Sequence, residues 1–132
     1  MFVRNKKDAP RRQVDGLTCH VMLQDNDVRG DQLAVTWVDV EPGARQRLHR
    51  HVPQQVYIIT KGQGRMTVGN QVNDVESGDV IYIPSNVVHG IENTSYSEKL
   101  TYITSATPAF DISALYDVGE YADERELELS EV

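Results

Sequence analysis

The sequence predicts an all-β domain, a sandwich or barrel of short strands. Three observations carry that prediction. Runs rich in β-branched and aromatic residues recur at intervals of roughly 8–12 residues, closed by Gly, Pro, Asn or Asp. No helical period of useful length occurs before residue 110. The 132 residues, 39% hydrophobic and 25% charged, suit one domain with a single core.

Residues 1–15 are polar and basic, contain Pro10 and show no period. They read as an N-terminal arm with room for one short strand. The barrel proper is expected over 16–110. Its first strand is 17–23 (LTCHVML), followed by a polar turn at 24–31. Residues 33–40 (LAVTWVDV) have the composition of a strand, and Glu41-Pro42-Gly43 turns the chain. A strand at 55–60 ends in Lys61-Gly62-Gln63-Gly64. Strands at 65–68 and 71–75 flank Gly69-Asn70, a short hairpin signal. Ser77-Gly78-Asp79 leads into an apolar strand at 80–83, and Pro84-Ser85-Asn86 into a strand at 87–92. The last clear strand is 100–104. Residues 111–132 form an acidic tail, with one marginal helical turn at most.

Thirteen basic against twenty acidic residues give a net charge of −7. That argues against general binding to nucleic acid or to anionic membranes. No apolar run reaches the length of a bilayer span, and the N-terminal stretch lacks the apolar segment of a secretory signal. Cys19 is the single cysteine, so an internal disulfide is impossible. These features point to a reducing, cytoplasmic setting.

Between Gly43 and Gly62 the chain reads GARQRLHRHVPQQVYIITKG. His49 and His51 are two positions apart, so in an extended segment both side chains leave one face. Gln55 opens the next strand, and a reversal near Pro53 returns it beside the two imidazoles. A mononuclear metal site needs several such donors at about 2.0–2.3 Å from one ion. His89, in a separate strand, can supply a third imidazole if the barrel closes. A histidine pair alone is more often solvated surface than a ligand pair. The surrounding glycines and prolines change that weighting.

That frame resembles the cupin superfamily. The first cupin motif, G-x5-H-x-H-x3–4-E-x6-G, is matched by Gly43, His49, His51 and Gly62, with Gln55 in the glutamate position. The second, G-x5-P-x-G-x2-H-x3-N, is matched by Gly78, Pro84, His89 and Asn93, with Asn86 in the second-glycine position. Asparagine is the next most tolerant residue of positive φ, so that exchange puts little in doubt. The resemblance covers 43–93 directly and about 17–110 through the strand pattern. It implies a double-stranded β-helix, or small jelly-roll barrel. It also implies one divalent transition metal (Mn, Fe, Ni or Zn) held by His49, His51, Gln55 and His89. The plainer alternative is a three-histidine metal site in which Gln55 is a lining amide. With Gln in place of Glu the ligands are neutral, so the ion keeps its full charge and favours an anionic ligand. Small cupins that act on uronate-type sugars are similar in carrying Gln here.

Arg45 and Arg47 share parity with His49 and His51. A regular strand therefore points all four inward, the arginines as a carboxylate or phosphate clamp. A bulge near Gln46 or Pro53 breaks that parity, and a solvated rim is the simpler account. Tyr57, in phase with Gln55, and Tyr102 on the last strand are candidate proton donors or acceptors beside the metal. Core filling is the alternative for each. The function expected from these residues is Lewis-acid catalysis, of isomerase, lyase or decarboxylase type, on a small, oxygen-rich, anionic metabolite. A metal-dependent dioxygenase and a non-catalytic small-molecule-binding cupin are the alternatives. Small single-domain cupins are also similar in tending to dimerise, which predicts a homodimer with residues 1–25 at its interface.

Overall fold

The computed structural model describes residues 1–29 and 33–109. Among them, nine strands form two antiparallel sheets. The larger has the order β1 (Arg11–Val14), β2 (Leu17–Leu23), β3 (Ala34–Val40), β9 (Leu100–Thr107), β4 (Gln54–Lys61), β7 (Val80–Ile83). The smaller has the order β6 (Gln71–Glu76), β5 (Gln63–Val68), β8 (His89–Asn93). The inner faces enclose one core, including Val38, Tyr57, Ile59, Met66, Ile91 and Tyr102. This is the all-β, two-sheet architecture that the strand spacing predicts, and the jelly roll that the cupin resemblance implies.

The strands expected at 17–23 and 80–83 have those bounds. β9 runs three residues past its expected end. It lies between β3 and β4; pairing on both sides carries Ser105 and Ala106 into the ladder, and Gln54 of β4 adds Thr107. β8 starts at His89 rather than at 87, because the Val87 N–H bonds the Pro84 carbonyl and keeps that residue in the turn. The arm contains a short 3-10 helix, Lys6–Asp8, and β1, which pairs with β2. It folds back on its own sheet: Lys6 Nζ lies 4.7 Å from the Trp37 ring centre and 3.0 Å from Asp39. The acidic tail at 111–132 lies outside the described residues.

Residues 44–50 extend the smaller sheet alongside β8. The Gln46 N–H donates to the Ile91 carbonyl, and His49 and His89 exchange both backbone bonds. Arg45 stands opposite Glu92 and His49 opposite His89, so four steps on one side match three on the other. The extra residue is a β-bulge, and a bulge reverses which side chains face inward. It crosses Gly90, where a Cβ would stand 3.1 Å from Leu48 Cδ2 and 3.2 Å from the Gln46 carbonyl oxygen. Asn86 turns the chain into β8 with φ 61°, the conformation the second-glycine position demands. No helix among the described residues is long and apolar enough to cross a membrane.

Candidate metal centre

Three elements bring the histidines together. The 44–50 segment supplies His49, the bend after it His51, and the first residue of β8 His89. Their candidate ligand nitrogens lie within 4.8 Å of one another. The His49 and His89 ring centres are 4.2 Å apart, His51 and His89 4.8 Å, and His49 and His51 5.9 Å. His49 and His89 are buried and His51 is half-buried at the rim.

Each ring is held the same way. The Nδ1 of His49 bonds the Arg47 carbonyl at 2.8 Å, that of His51 the Pro53 carbonyl at 2.8 Å, and that of His89 the Val87 carbonyl at 2.9 Å. In a neutral imidazole one nitrogen donates and the other carries a lone pair. With Nδ1 donating, all three Nε2 atoms are acceptors. Burial keeps the rings neutral. It pushes His49 down to about 4, and it lowers His51. His89 is held well below the ordinary histidine value by burial and then by the two neighbouring imidazoles.

Two features of this arrangement call for a cation. His89 Nε2 is buried and has no hydrogen-bond partner among the described residues. His51 Nε2 faces Gln55 Oε1 at 3.0 Å, and with Nδ1 already donating both are acceptors. Two lone-pair atoms at that separation repel each other unless the amide turns to donate from Nε2 or a positive charge lies between them. About 3.0 Å is also the spacing of adjacent donors bonded to one ion at about 2.1 Å. The four side chains therefore fit a divalent transition metal in donor type and protonation state, and His51 and Gln55 fit it in spacing as well.

Gln55 is buried and sits on β4 between Ala106 of β9 and Ile83 of β7. The small Ala106 leaves its amide room. Tyr57, two residues on, has its ring edge to face with His89 at 6.0 Å and stacked on Tyr102 at 4.5 Å. Its hydroxyl donates to Gln46 Oε1 at 3.0 Å, while Gln46 Nε2 donates to the Tyr102 hydroxyl at 3.3 Å. Burial pushes the Tyr57 phenol far above its ordinary value.

The inward orientation expected for Arg45 and Arg47 does not hold. Both are exposed, and Gln46 is buried between them. The bulge is the reason: it puts Arg45 out of phase with His49. Arg45 instead lines a shallow cavity of about 450 Å³ on the outside of the smaller sheet, with Arg65 and Glu92. Gln46, which joins the two tyrosines, was not expected from the sequence. Only a located bulge would have revealed it. Asn93 closes the floor of the barrel: Nδ2 donates to the carbonyls of Val40, Glu41 and Glu98, and Oδ1 accepts from the Ser95 N–H.

A family model described as "Cupin domain" matches residues 36–104. An uncharacterized protein of Methanocaldococcus jannaschii is 35% identical over 66% of this chain and 70% of its own length. The dimethylsulfoniopropionate lyase DddW of Ruegeria pomeroyi is 35% identical over 37% of this chain and 32% of its own. Auxin-binding protein 1 of Arabidopsis thaliana is 25% identical over 84% of this chain and 62% of its own. Among solved structures, a cupin-2 domain from Rhodospirillum rubrum superposes with a TM-score of 0.68 at 23% identity, covering 97% of this chain and 78% of that one.

Proposed function

The chain belongs to the cupin family, and from that premise we propose that it is a mononuclear metal-dependent enzyme. It acts on a small, oxygen-rich, anionic metabolite by isomerase, lyase or decarboxylase chemistry. One observation carries this reading: three neutral imidazoles gather their candidate ligand nitrogens within 4.8 Å of one another, each ring held by a bond from Nδ1 to backbone, with Gln55 Oε1 3.0 Å from His51. We assign His49, His51, His89 and Gln55 as the ligands. A bound divalent ion supplies Lewis-acid polarisation of substrate oxygens.

The charge of the substrate follows from what surrounds the ligands. Among the described residues, the buried polar side chains are Thr, Gln, His and Asn, with no buried carboxylate or cation. A dipositive ion held there is uncompensated by the protein, and an anionic substrate compensates it. This support for an anion is independent of Arg45 and Arg47, whose side chains face outward. Tyr57 and Tyr102 serve as the packed wall behind His89. The hydroxyl of Tyr57 is engaged by Gln46, and its raised pKa opposes loss of its proton at neutral pH.

The relatives support two readings. Lyase DddW favours chemistry, and the auxin-binding relative favours binding alone. Protein purified without added metal should contain about one equivalent of a transition metal, and His51→Ala should lose it. Retention of metal in His51→Ala refutes the ligand assignment. With a panel of hydroxy- and keto-acids, product formation supports the enzyme. Saturable binding without turnover supports the binding protein.

A further inference from the structure

The larger sheet ends in two unlike edges. β1 reads Arg-Arg-Gln-Val, and charged side chains on an edge discourage pairing with another chain. β7 reads Val-Ile-Tyr-Ile, carries no charge, and among the described residues pairs with β4 alone. Val80 is 66% exposed and Tyr82 56%. Ile58, which faces Val80 across the ladder, is 42% exposed, so the edge continues into an apolar strip on the outer face. On its far side a cleft of about 720 Å³ separates β7 from β6, with Met66, Val75 and Ile81 within and Val72 at the rim. Among the described residues no strand pairs with this edge.

The phase of the ladder fixes what the edge can accept. The Ile59 N–H donates to the Asp79 carbonyl. Bonded and non-bonded pairs alternate in an antiparallel ladder. The next bonded pairs are therefore Tyr57 with Ile81 and Gln55 with Ile83. The N–H and C=O groups of Val80 and Tyr82 consequently point away from β4. A second copy of the edge, turned about a two-fold axis at Ile81, sets Val80 opposite Tyr82 of the other copy at both ends. Each such pair exchanges two hydrogen bonds, so all the free groups of both edges are satisfied. The contact closes on itself, as a two-fold interface must. Val80 and Tyr82 of the two copies then meet on the outer face beside Ile58. The chain carries −7 and repels its own copy, so an uncharged edge is where two chains approach most easily.

We propose that β7 is a homodimer interface, formed by antiparallel pairing of the Val80–Ile83 strands of two copies into one continuous sheet. Residues 1–25 are the competing contact: β1 is also an edge, but a charged one, and Lys6 and Arg4 are engaged within the chain on Trp37, Asp39 and Asp27.

The test is sedimentation and light scattering of the full chain over a concentration series, with amide exchange as a second readout. The wild type is expected at twice the 14.9 kDa chain mass by about 50 µM. Val80→Lys and Tyr82→Lys, both at exposed positions, should keep the β-type circular dichroism and each weaken association about ten-fold or more. Arg11→Glu on the other edge should leave association unchanged. The amides of Val80 and Tyr82 should exchange more slowly as concentration rises, whereas that of Ile81, bonded to β4, is slow throughout. A monomer at every concentration overturns the proposal. So does a dimer that survives both lysine variants, or one lost in Arg11→Glu, or exchange at Val80 and Tyr82 that ignores concentration.

Discussion

Gln55→Glu isolates the charge of the metal centre from its shape. Gln55 is 5% exposed, and its Oε1 stands 3.0 Å from His51 Nε2. Glutamate fits the same space between Ala106 and Ile83 and adds one negative charge. An anion bound to the same ion would lie within about 4 Å of that charge. At an effective dielectric constant of about 20, a full unit charge at that distance costs about 4 kcal/mol. Spreading the charge over two oxygens, with some water at the mouth, takes this to about 2 kcal/mol, or about thirty-fold in affinity. The assay is calorimetric titration of glycolate into zinc-saturated wild type and variant, with imidazole as a neutral ligand. Glycolate should weaken about thirty-fold, imidazole should change little, and zinc itself should bind more tightly. Unchanged glycolate affinity at full zinc loading would refute the argument that neutral ligands select an anion. Unchanged zinc affinity would show Gln55 to be a lining amide beside a three-histidine site.

Three further predictions concern the shell around the site. Gln46→Leu removes the amide that joins Tyr57 to Tyr102, and should cost about 2 kcal/mol in urea denaturation through loss of buried hydrogen bonds. The cost should shrink in a Tyr57→Phe background, and strict additivity would speak against the link. In metal-free protein the buried imidazoles have folded pKa values below the unfolded 6.5, so stability is full above pH 6.5 and is lost as pH falls. For His49, lowered to about 4, the loss amounts to about 3 kcal/mol across that window. A melting temperature of chelator-treated protein that stays flat from pH 7 to 4.5 contradicts buried neutral rings. Asn93→Leu leaves the Ser95 N–H and three carbonyls without their side-chain partner, and should cost about 3 kcal/mol in thermal or urea melts. A loss below about 1 kcal/mol would mean that water or rearranged backbone replaces the amide.

Much of the fold is local, and local physics made it legible. β-branched runs between turn residues fixed where β2 and β7 begin and end, and the positive φ of Asn86 followed from its place before His89. Where pairing on both flanks prolongs a strand, as in β9, composition stopped short, because Ala106 and Thr107 become strand only through Ala34, Gln54 and Gln55. The two unlike sheet edges were likewise invisible. An edge is defined by which strand is missing beside it, and the chain order of β1 and β7 does not reveal that.

The candidate site divides along the same line. The sequence alone named its candidate donors: two histidines two positions apart, Gln55 after a proline, and His89 in its own frame. Their residue types limit the site to neutral nitrogen and oxygen ligands. Only the tertiary structure decided which way the neighbouring side chains face. One extra residue between Arg45 and His49 turns both arginines out and Gln46 in, because side chains alternate and a single insertion reverses the alternation. An inserted residue leaves no mark in composition, and it becomes visible only when the partner strand is laid beside it.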